Sequence, residues 1–454
     1  MERASATVGD TRHADCLNRG VEPASRKEIL AWSMYDFANS AFTTTITTVV
    51  YSVYFSDAVV PSEGVRAFGV SLDGRSLWPI AYATSLAIAA ALAPVIGAIC
   101  DYSAAKKRWL SIFWLVGCAA TCGLFFVRPG GWVLGLILYV IANVAWESSV
   151  SLNSAFLPEL APPEKLDRVS SIGWGVGYVG GGLCLVLNLI MLKHPAWFPQ
   201  GWAINVAIAS VGVWWFVFGL PCILRVRERA TPRPAPAGSL VLAGFARVLH
   251  TTRNVRRFRT LAMLTASVLI FSAGVNTVLA MSGPFAQGEL KFKQDEIILC
   301  FLMIQGVGAV GAILTAVFAG RVPTKKALYA MLAVWLIALG WALVVRSKTE
   351  FWFLGALIGL VMGGTQALSR GLQAQLTPPS ATAEFFGFYG VTQKVAAAGA
   401  NYVFAAAMAM GGVRAAILTI MCFFLLGFAL LKPVDVAKGR RESEEEEKRI
   451  QAAA

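Results

Sequence analysis

The chain has 454 residues, of which 57% are hydrophobic and only 14% charged, with a mean hydropathy of +0.63 and a formal net charge of +13. A water-soluble protein of this length needs far more charge to cover its surface, which argues against a soluble fold of two or three domains. The basic residues sit in short loops between apolar blocks, which argues against nucleic acid as a partner and makes the charge a signal of membrane topology.

Residues 1–28 are polar and mixed in charge, with no apolar core followed by a cleavage site. They are expected to be a cytoplasmic tail and not a signal peptide. Twelve apolar segments follow, each near the ~20 residues that a helix needs to cross a bilayer. They cover about 29–55, 78–100, 109–127, 132–156, 170–192, 203–224, 259–282, 295–320, 326–346, 350–375, 384–408 and 412–432. The expected fold is therefore an all-α membrane protein of twelve transmembrane helices. Its N-terminal six-helix bundle is 29–224, a basic cytoplasmic linker is 225–258, its C-terminal six-helix bundle is 259–432, and a cytoplasmic tail is 433–454. That tail carries the charged run Arg440 to Arg449 and is read as a solvated segment without a function.

Several spans are rich in small residues, as expected where helix backbones pack closely in lipid. Gly173, Gly175, Gly177, Gly180, Gly181 and Gly182 in span 5 are the densest case. Seven of the eight cysteines lie in or beside apolar blocks, no C-x-x-C occurs and there are only three histidines. No disulfide framework, metal site or cofactor is expected. Trp197 and Trp202, in the outer loop between spans 5 and 6, are expected to be interfacial anchors.

Lys and Arg fix the expected orientation. With the N-terminus inside, one side carries 28 of them and the other 9, and nearly every loop agrees. An even number of spans then puts both termini in the cytoplasm. The halves read as distant copies. Span 4 exits through Leu160-Ala161-Pro162-Pro163 and span 10 through Leu376-Thr377-Pro378-Pro379; loop 2–3 carries Lys106-Lys107 and loop 8–9 carries Lys325-Lys326. Parallel six-helix repeats are the architecture of the major facilitator transporters.

Loop 2–3 runs from Gly97 through Asp101 to Lys106, Lys107 and Arg108. A Gly, an Asp four residues on and then a basic cluster resembles the signature gating loop of the major facilitator superfamily. Gly97 permits close packing, and Asp101 can pair with a basic residue or a helix N-terminus and so latch the halves in one state. The second copy has Gly320 where Asp101 maps, so a latch there should be weaker.

Span 1 opens with Trp32-Ser-Met-Tyr35-Asp36-Phe37-Ala38-Asn39-Ser40. A carboxylate in a membrane helix is costly and usually functional. Asp36 is read either as part of a transport path, with Tyr35 and Asn39 beside it, or as a structural or half-wetted group near the cytoplasmic edge. Here the resemblance becomes specific. YDFANSAF in span 1, Asn153 to Gly182, GGTQALSRG (Gly363 to Gly371) and AEFFGFYG (Ala383 to Gly390) are similar to the vacuole-effluxer-like branch of that superfamily. The resemblance spreads over both halves and implies a solute exporter of this fold. The branch's fungal members are associated with amino-acid efflux; their long insertions are absent here.

Span 4 carries Asn143, Glu147 and Ser151 as a polar stripe, and Glu147, near mid-span, is either a proton-carrying group or a structural partner. Span 10 carries Gln366, Arg370 and Gln373 on one face. Arg370 cannot shed its proton, so inside the bilayer it needs an anion, either a substrate carboxylate or an acidic side chain. Lys394, with Gln393, is a second cationic candidate in span 11, and either cation can instead snorkel to the interface. The first half thus offers carboxylates and the second offers cations, which suits a zwitterion such as an amino acid.

The expected function is a secondary transporter of a small polar solute, working as a monomer in a bacterial inner membrane with lipid around it. Its coupling is to protons through Asp36 or Glu147, or absent. No Walker-type G-x-x-x-x-G-K-[ST] occurs, so drive by ATP within this chain is not expected. A drug, sugar or nucleoside remains the alternative substrate. A membrane enzyme would want clustered His, Asp or Glu at one membrane face, and a channel would want rings of like charge.

Overall fold

The computed structural model describes residues 24–67, 70–72, 74–229, 259–292, 294–379 and 382–452. Most of the expected N-terminal tail and of the basic linker lies outside the described residues. The architecture is almost wholly helical. Ten helices among the described residues are long and apolar enough to cross a membrane.

Helix α1 (Arg26–Ala41) starts at Ser25, whose hydroxyl accepts the Glu28 N–H at 3.2 Å. Span 1 then departs from regular α-helix. It continues as a π-helical stretch over Phe42–Val49, one α turn over Tyr51–Tyr54 and a second π turn over Phe55–Val59. Hydroxyls in this segment bond back to their own helix. Thr44 Oγ1 donates to the Ser40 carbonyl at 2.8 Å and Thr48 Oγ1 to the Thr43 carbonyl at 2.9 Å, the latter already in the five-residue register of a π-helix. A two-stranded hairpin, β1 (Val65–Ala67) and β2 (Val70–Leu72), fills the loop to the next span.

The remaining helices are α2 (Gly74–Ser103), α3 (Lys106–Gly123), α4 (Trp132–Ala155), α5 (Leu166–Lys193), α6 (Ala203–Arg225), α7 (Arg259–Leu290), α8 (Gln294–Phe318), α9 (Thr324–Ala342), α10 (Lys348–Leu376), α11 (Thr382–Leu431) and α12 (Val436–Ala452). Tight turns join α2 to α3 and α8 to α9, through Ala104 at φ +47° and Gly320 at φ +87°. The left-handed conformation explains the glycine at position 320 in the second copy of the loop.

Helix α11 covers both expected spans 11 and 12, with Gly411-Gly412 between them. Its two ends lie on the same face, that of loops 2–3 and 8–9: Lys106 donates to Thr382 at its start, and Lys325 donates to the carbonyls of Lys432 and Val434 just past its end. One difference from the sequence reading is the tail, which forms α12 and docks on the ends of other helices.

Two hydrophobic cores form. The first gathers buried residues from Trp32 to Val226, and the second gathers them from Leu261 to Val434. Each core borrows one residue from across the divide. Ala374 of α10 belongs to the first core and Tyr178 of α5 to the second. The halves meet where α5 packs on α8 and α10 and where α2 packs on α11. Outside them, Trp197 is 65% exposed and Trp202 lies under the Arg128 guanidinium at 3.3 Å, as suits interfacial residues.

Glycine sets the closest approaches. A Cβ on Gly180 would stand 2.1 Å from the Phe37 carbonyl oxygen, and one on Gly311 would stand 1.9 Å from the Leu360 carbonyl oxygen. Backbone cannot yield as a side-chain tip can. Gly180→Ala and Gly311→Ala should each destabilise the protein by about 1–3 kcal/mol. Gly306→Ala, which meets nothing within 4 Å, should be neutral. Melting midpoints in detergent check this; three equal values would show that the helices are not so close.

Candidate functional site: a buried ion pair between the halves

Two charged side chains meet at the boundary between the halves. Asp36 on α1 and Arg370 on α10 are each 8% exposed. Both guanidinium Nη atoms donate to Asp36 Oδ2, at 3.1 and 3.2 Å. Arg370 Nε donates to Ser170 Oγ at 2.9 Å and Nη2 to the Ser170 carbonyl at 2.9 Å. Ser170 in turn donates to the Ala367 carbonyl at 2.9 Å, one turn before Arg370 on the same helix. Asn153 Nδ2 donates to Asp36 Oδ1 at 3.2 Å. The guanidinium also lies between two indoles, 5.1 Å from the Trp32 ring and 5.4 Å from that of Trp174.

The local sequence builds this site. Trp32 and Asp36, four residues apart, share a face of α1, and the Trp32 indole N–H donates to the Asn153 carbonyl at 2.8 Å. Gly173 makes the room: a Cβ there would lie 2.5 Å from Asp36 Oδ2 and 2.9 Å from Arg370 Nη2. From Val361 to Pro378 every residue of the α10 segment is buried except Gln366, so the pair has little water around it.

More ties join the halves on the face that carries loops 2–3 and 8–9, called here the basic face. Lys106, 1% exposed, pairs with Glu159 and donates to Thr382 Oγ1 at 2.8 Å, reaching α11 in the other half. Asp167, at the start of α5, accepts from Thr324 Oγ1 and from Gln375 Nε2, the latter at 3.0 Å. The segment after α6 braces the first half. Glu228 accepts the Lys106 and Lys107 backbone N–H groups at 2.7 and 3.1 Å and so caps α3. Arg229 holds Glu28 through two hydrogen bonds, at 2.8 and 2.7 Å. Burial pushes the Glu228 carboxyl above the usual carboxylate range, although the two N–H groups oppose it.

The sequence-predicted residues divide clearly. Asp36 and Arg370 come together, and Gln366 stands one turn from Arg370, accepting from Tyr178 Oη at 2.8 Å. Tyr35 is fully buried in the first core, away from the ion pair. Asn39 is buried, and its carbonyl takes the Trp146 indole N–H at 2.9 Å. Asn143 Nδ2 donates to Ser85 Oγ at 2.7 Å and so ties α4 to α2. Glu147 is half-buried one turn further along α4, about a third of a turn round the helix from Asn153. Gln393 Nε2 donates to Tyr389 Oη at 2.7 Å on its own helix. Of the loop 2–3 residues, Gly97 and Lys106 are buried and Arg108 is exposed. The side chains of Asp101 and Lys394 lie outside the described residues.

Sequence reasoning missed Asn153, Ser170, Trp32 and Asp167 as parts of the site. Trp32 carried a signal, four residues before Asp36. Asn153 was masked by the more regular stripe at 143, 147 and 151, which turns to another side of α4.

Comparison with known proteins follows from this geometry. The family described as "Vacuole effluxer Atg22 like" matches residues 24–166 and 162–444. The chain belongs to that family. The Atg22-like relatives include the uncharacterized MFS-type transporter YxiO of Bacillus subtilis, 28% identical over 89% of this chain and 94% of its own length. Another is autophagy-related protein 22-1 of Penicillium rubens, 23% identical over 83% of this chain and 78% of its own length. Among solved structures, the proton:xylose symporter XylE has a TM-score of 0.70 at 14% identity, covering 90% of this chain and 95% of that one. The human organic anion transporter MFSD10 has a TM-score of 0.63 at 15% identity, covering 90% and 100%. This Atg22-like chain is thus a multi-pass membrane transporter of the major facilitator superfamily, not an enzyme.

Removing one member of a buried pair strands the other charge. Asp36→Asn and Arg370→Met should each lower stability by about 3–5 kcal/mol. The double variant should lose much less than the sum of the two, because no charge is then left without a partner. A double-mutant cycle on unfolding in detergent reads the coupling, and additive losses would show that the two side chains do not pair.

Proposed function

We propose that this transporter exports zwitterionic amino acids by alternating access, the solute taking the place that Asp36 and Arg370 occupy for each other. The observation that supports the reading is the buried ion pair itself, with its carboxylate on one half and its guanidinium on the other. In the empty carrier the two charges neutralise each other. Parting the halves on the basic face strands both, at a cost that can reach several kcal/mol. A zwitterion removes that cost, since its carboxylate meets Arg370 and its ammonium meets Asp36. The exchange balances in charge and needs no ion, so uniport is the simplest coupling.

Ser170 and the two indoles contact the guanidinium from the same half as Asp36, so they part from Arg370 together with that carboxylate and leave it open to the solute. Gln366 and Tyr178, one turn away, supply polar groups along the same face. Efflux is the direction named in the family's description, and we extend it to this chain. We place the protein, as a monomer, in a bacterial cytoplasmic membrane. The Bacillus relative matches it over nearly its whole length, whereas the fungal alignments stretch to 568 positions.

Counterflow of labelled amino acids in proteoliposomes tests the proposal. Asp36→Asn and Arg370→Ala should each cut the rate by about 10–100-fold, the weight of one charge-assisted contact of about 1.5–3 kcal/mol. Transport at the parental rate in both variants would remove the pair from the pathway. If Asp36→Asn moves simple carboxylic acids well while the parent needs low pH to do so, Asp36 carries a proton and coupling replaces uniport.

A further inference from the structure

The C-terminal helix α12 is joined by a chain of side chains to the tie between the halves. Arg440 Nη2 donates to Gln375 Oε1 at 2.6 Å, and Gln375 Nε2 donates to Asp167 Oδ1 at 3.0 Å. Asp167 begins α5 in the first half, and its other oxygen accepts from Thr324 of α9. The carboxylate is 7% exposed, and both of these contacts come from neutral groups of the second half.

Helix α12 is seated, not loosely attached. Glu442 accepts the Thr260 N–H at 3.2 Å and the Thr260 hydroxyl at 3.1 Å, at the start of α7. A Cβ on Gly439 would stand 2.8 Å from both Leu376 Cδ2 and Thr260 Cγ2, so the helix lies against the ends of α10 and α7. Lys325 Nζ donates to the carbonyls of Lys432 and Val434 at 2.8 and 2.7 Å, which fixes the turn leading into it.

We propose that α12 is a strap that holds the basic-face gate shut, acting through Arg440, Gln375 and Asp167. The carboxamide of Gln375 has one accepting and one donating end. Arg440 takes the accepting end, so the donating end is turned to Asp167 across the divide. Without Arg440 the Gln375 oxygen loses its charged partner, and the side chain, held only by its bond to Asp167, can swing away from the divide. The strap therefore sets how often the halves part, whatever the solute. The proposal needs neither the amino-acid reading nor a role for Asp36 and Arg370.

Ala374 offers the readout. It lies on α10 beside Gln375, is 3% exposed and is buried in the core of the opposite half, so it becomes accessible when the halves part. The experiment labels Ala374→Cys with a maleimide in purified protein and counts labelled peptides by mass spectrometry. In that background Arg440→Ala, and a chain ended after Val434, should label residue 374 about tenfold faster. Arg440→Lys, which keeps a donor for Gln375, and Lys448→Ala, on the exposed part of α12, should label slowly. Native Cys118, buried within the first half, reports general loosening. Equal labelling of residue 374 in Arg440→Ala and its parent overturns the proposal. A rise that includes Cys118 overturns it as well, because the loosening is then global.

Discussion

A guanidinium that cannot lose its proton is buried inside a membrane protein, and much of the site follows from that constraint. Arg370 needs an anion, and the nearest one, Asp36, comes from the other half of the molecule. The two bundles have separate cores, so this pair is a point where their electrostatics cannot be settled independently. Hydrogen bonds donated to Ser170, and flanking indoles, spread the charge, but only a carboxylate neutralises it.

The close packing around the pair serves the same end. The glycines of α5 let α1 approach until backbone meets backbone at Phe37, and Gly173 leaves the space that Asp36 and Arg370 fill. With water excluded there, the pair is strong when made and costly when broken by halves. Such a contact has two states and little between them, which is what a gate requires. The π-helical run that follows on α1 loosens the helix just beyond the tight region, where its threonines take backbone carbonyls as partners.

Membrane class, helical content and the sign of the charges on each half were legible in the sequence, because they depend on composition and on single residues such as Asp36 and Arg370. The pairing of those two was not, since 334 positions separate them and the sequence offered both an acidic side chain and a substrate as the missing anion. The polar stripe of α4 misled for a related reason. Periodicity shows that Asn143 and Glu147 share a side, but not which neighbour that side meets, and Asn143 turned to Ser85 of α2. The docking of α12 escaped notice because a run of charge in a tail reads as solvated, while its contacts rest on three residues, Gly439, Arg440 and Glu442.

The two copies of the basic loop have diverged in a way that makes the gate one-sided. Lys106 in the first copy crosses to Thr382 of the other half while pairing with Glu159 of its own. Lys325, its counterpart, turns back to the carbonyls at the end of α11 within its own half. The charged side chain at position 101 is replaced in the second copy by Gly320, which the left-handed turn favours. One copy therefore ties the halves together and the other anchors the strap. Among the described residues Lys325 makes no crossing contact, and at its loop Asp167 reaches over from the first half to Thr324 and Gln375. The cross-half ties on this face thus start from side chains of the first bundle, and the second bundle answers with neutral groups at every one of them except Arg370.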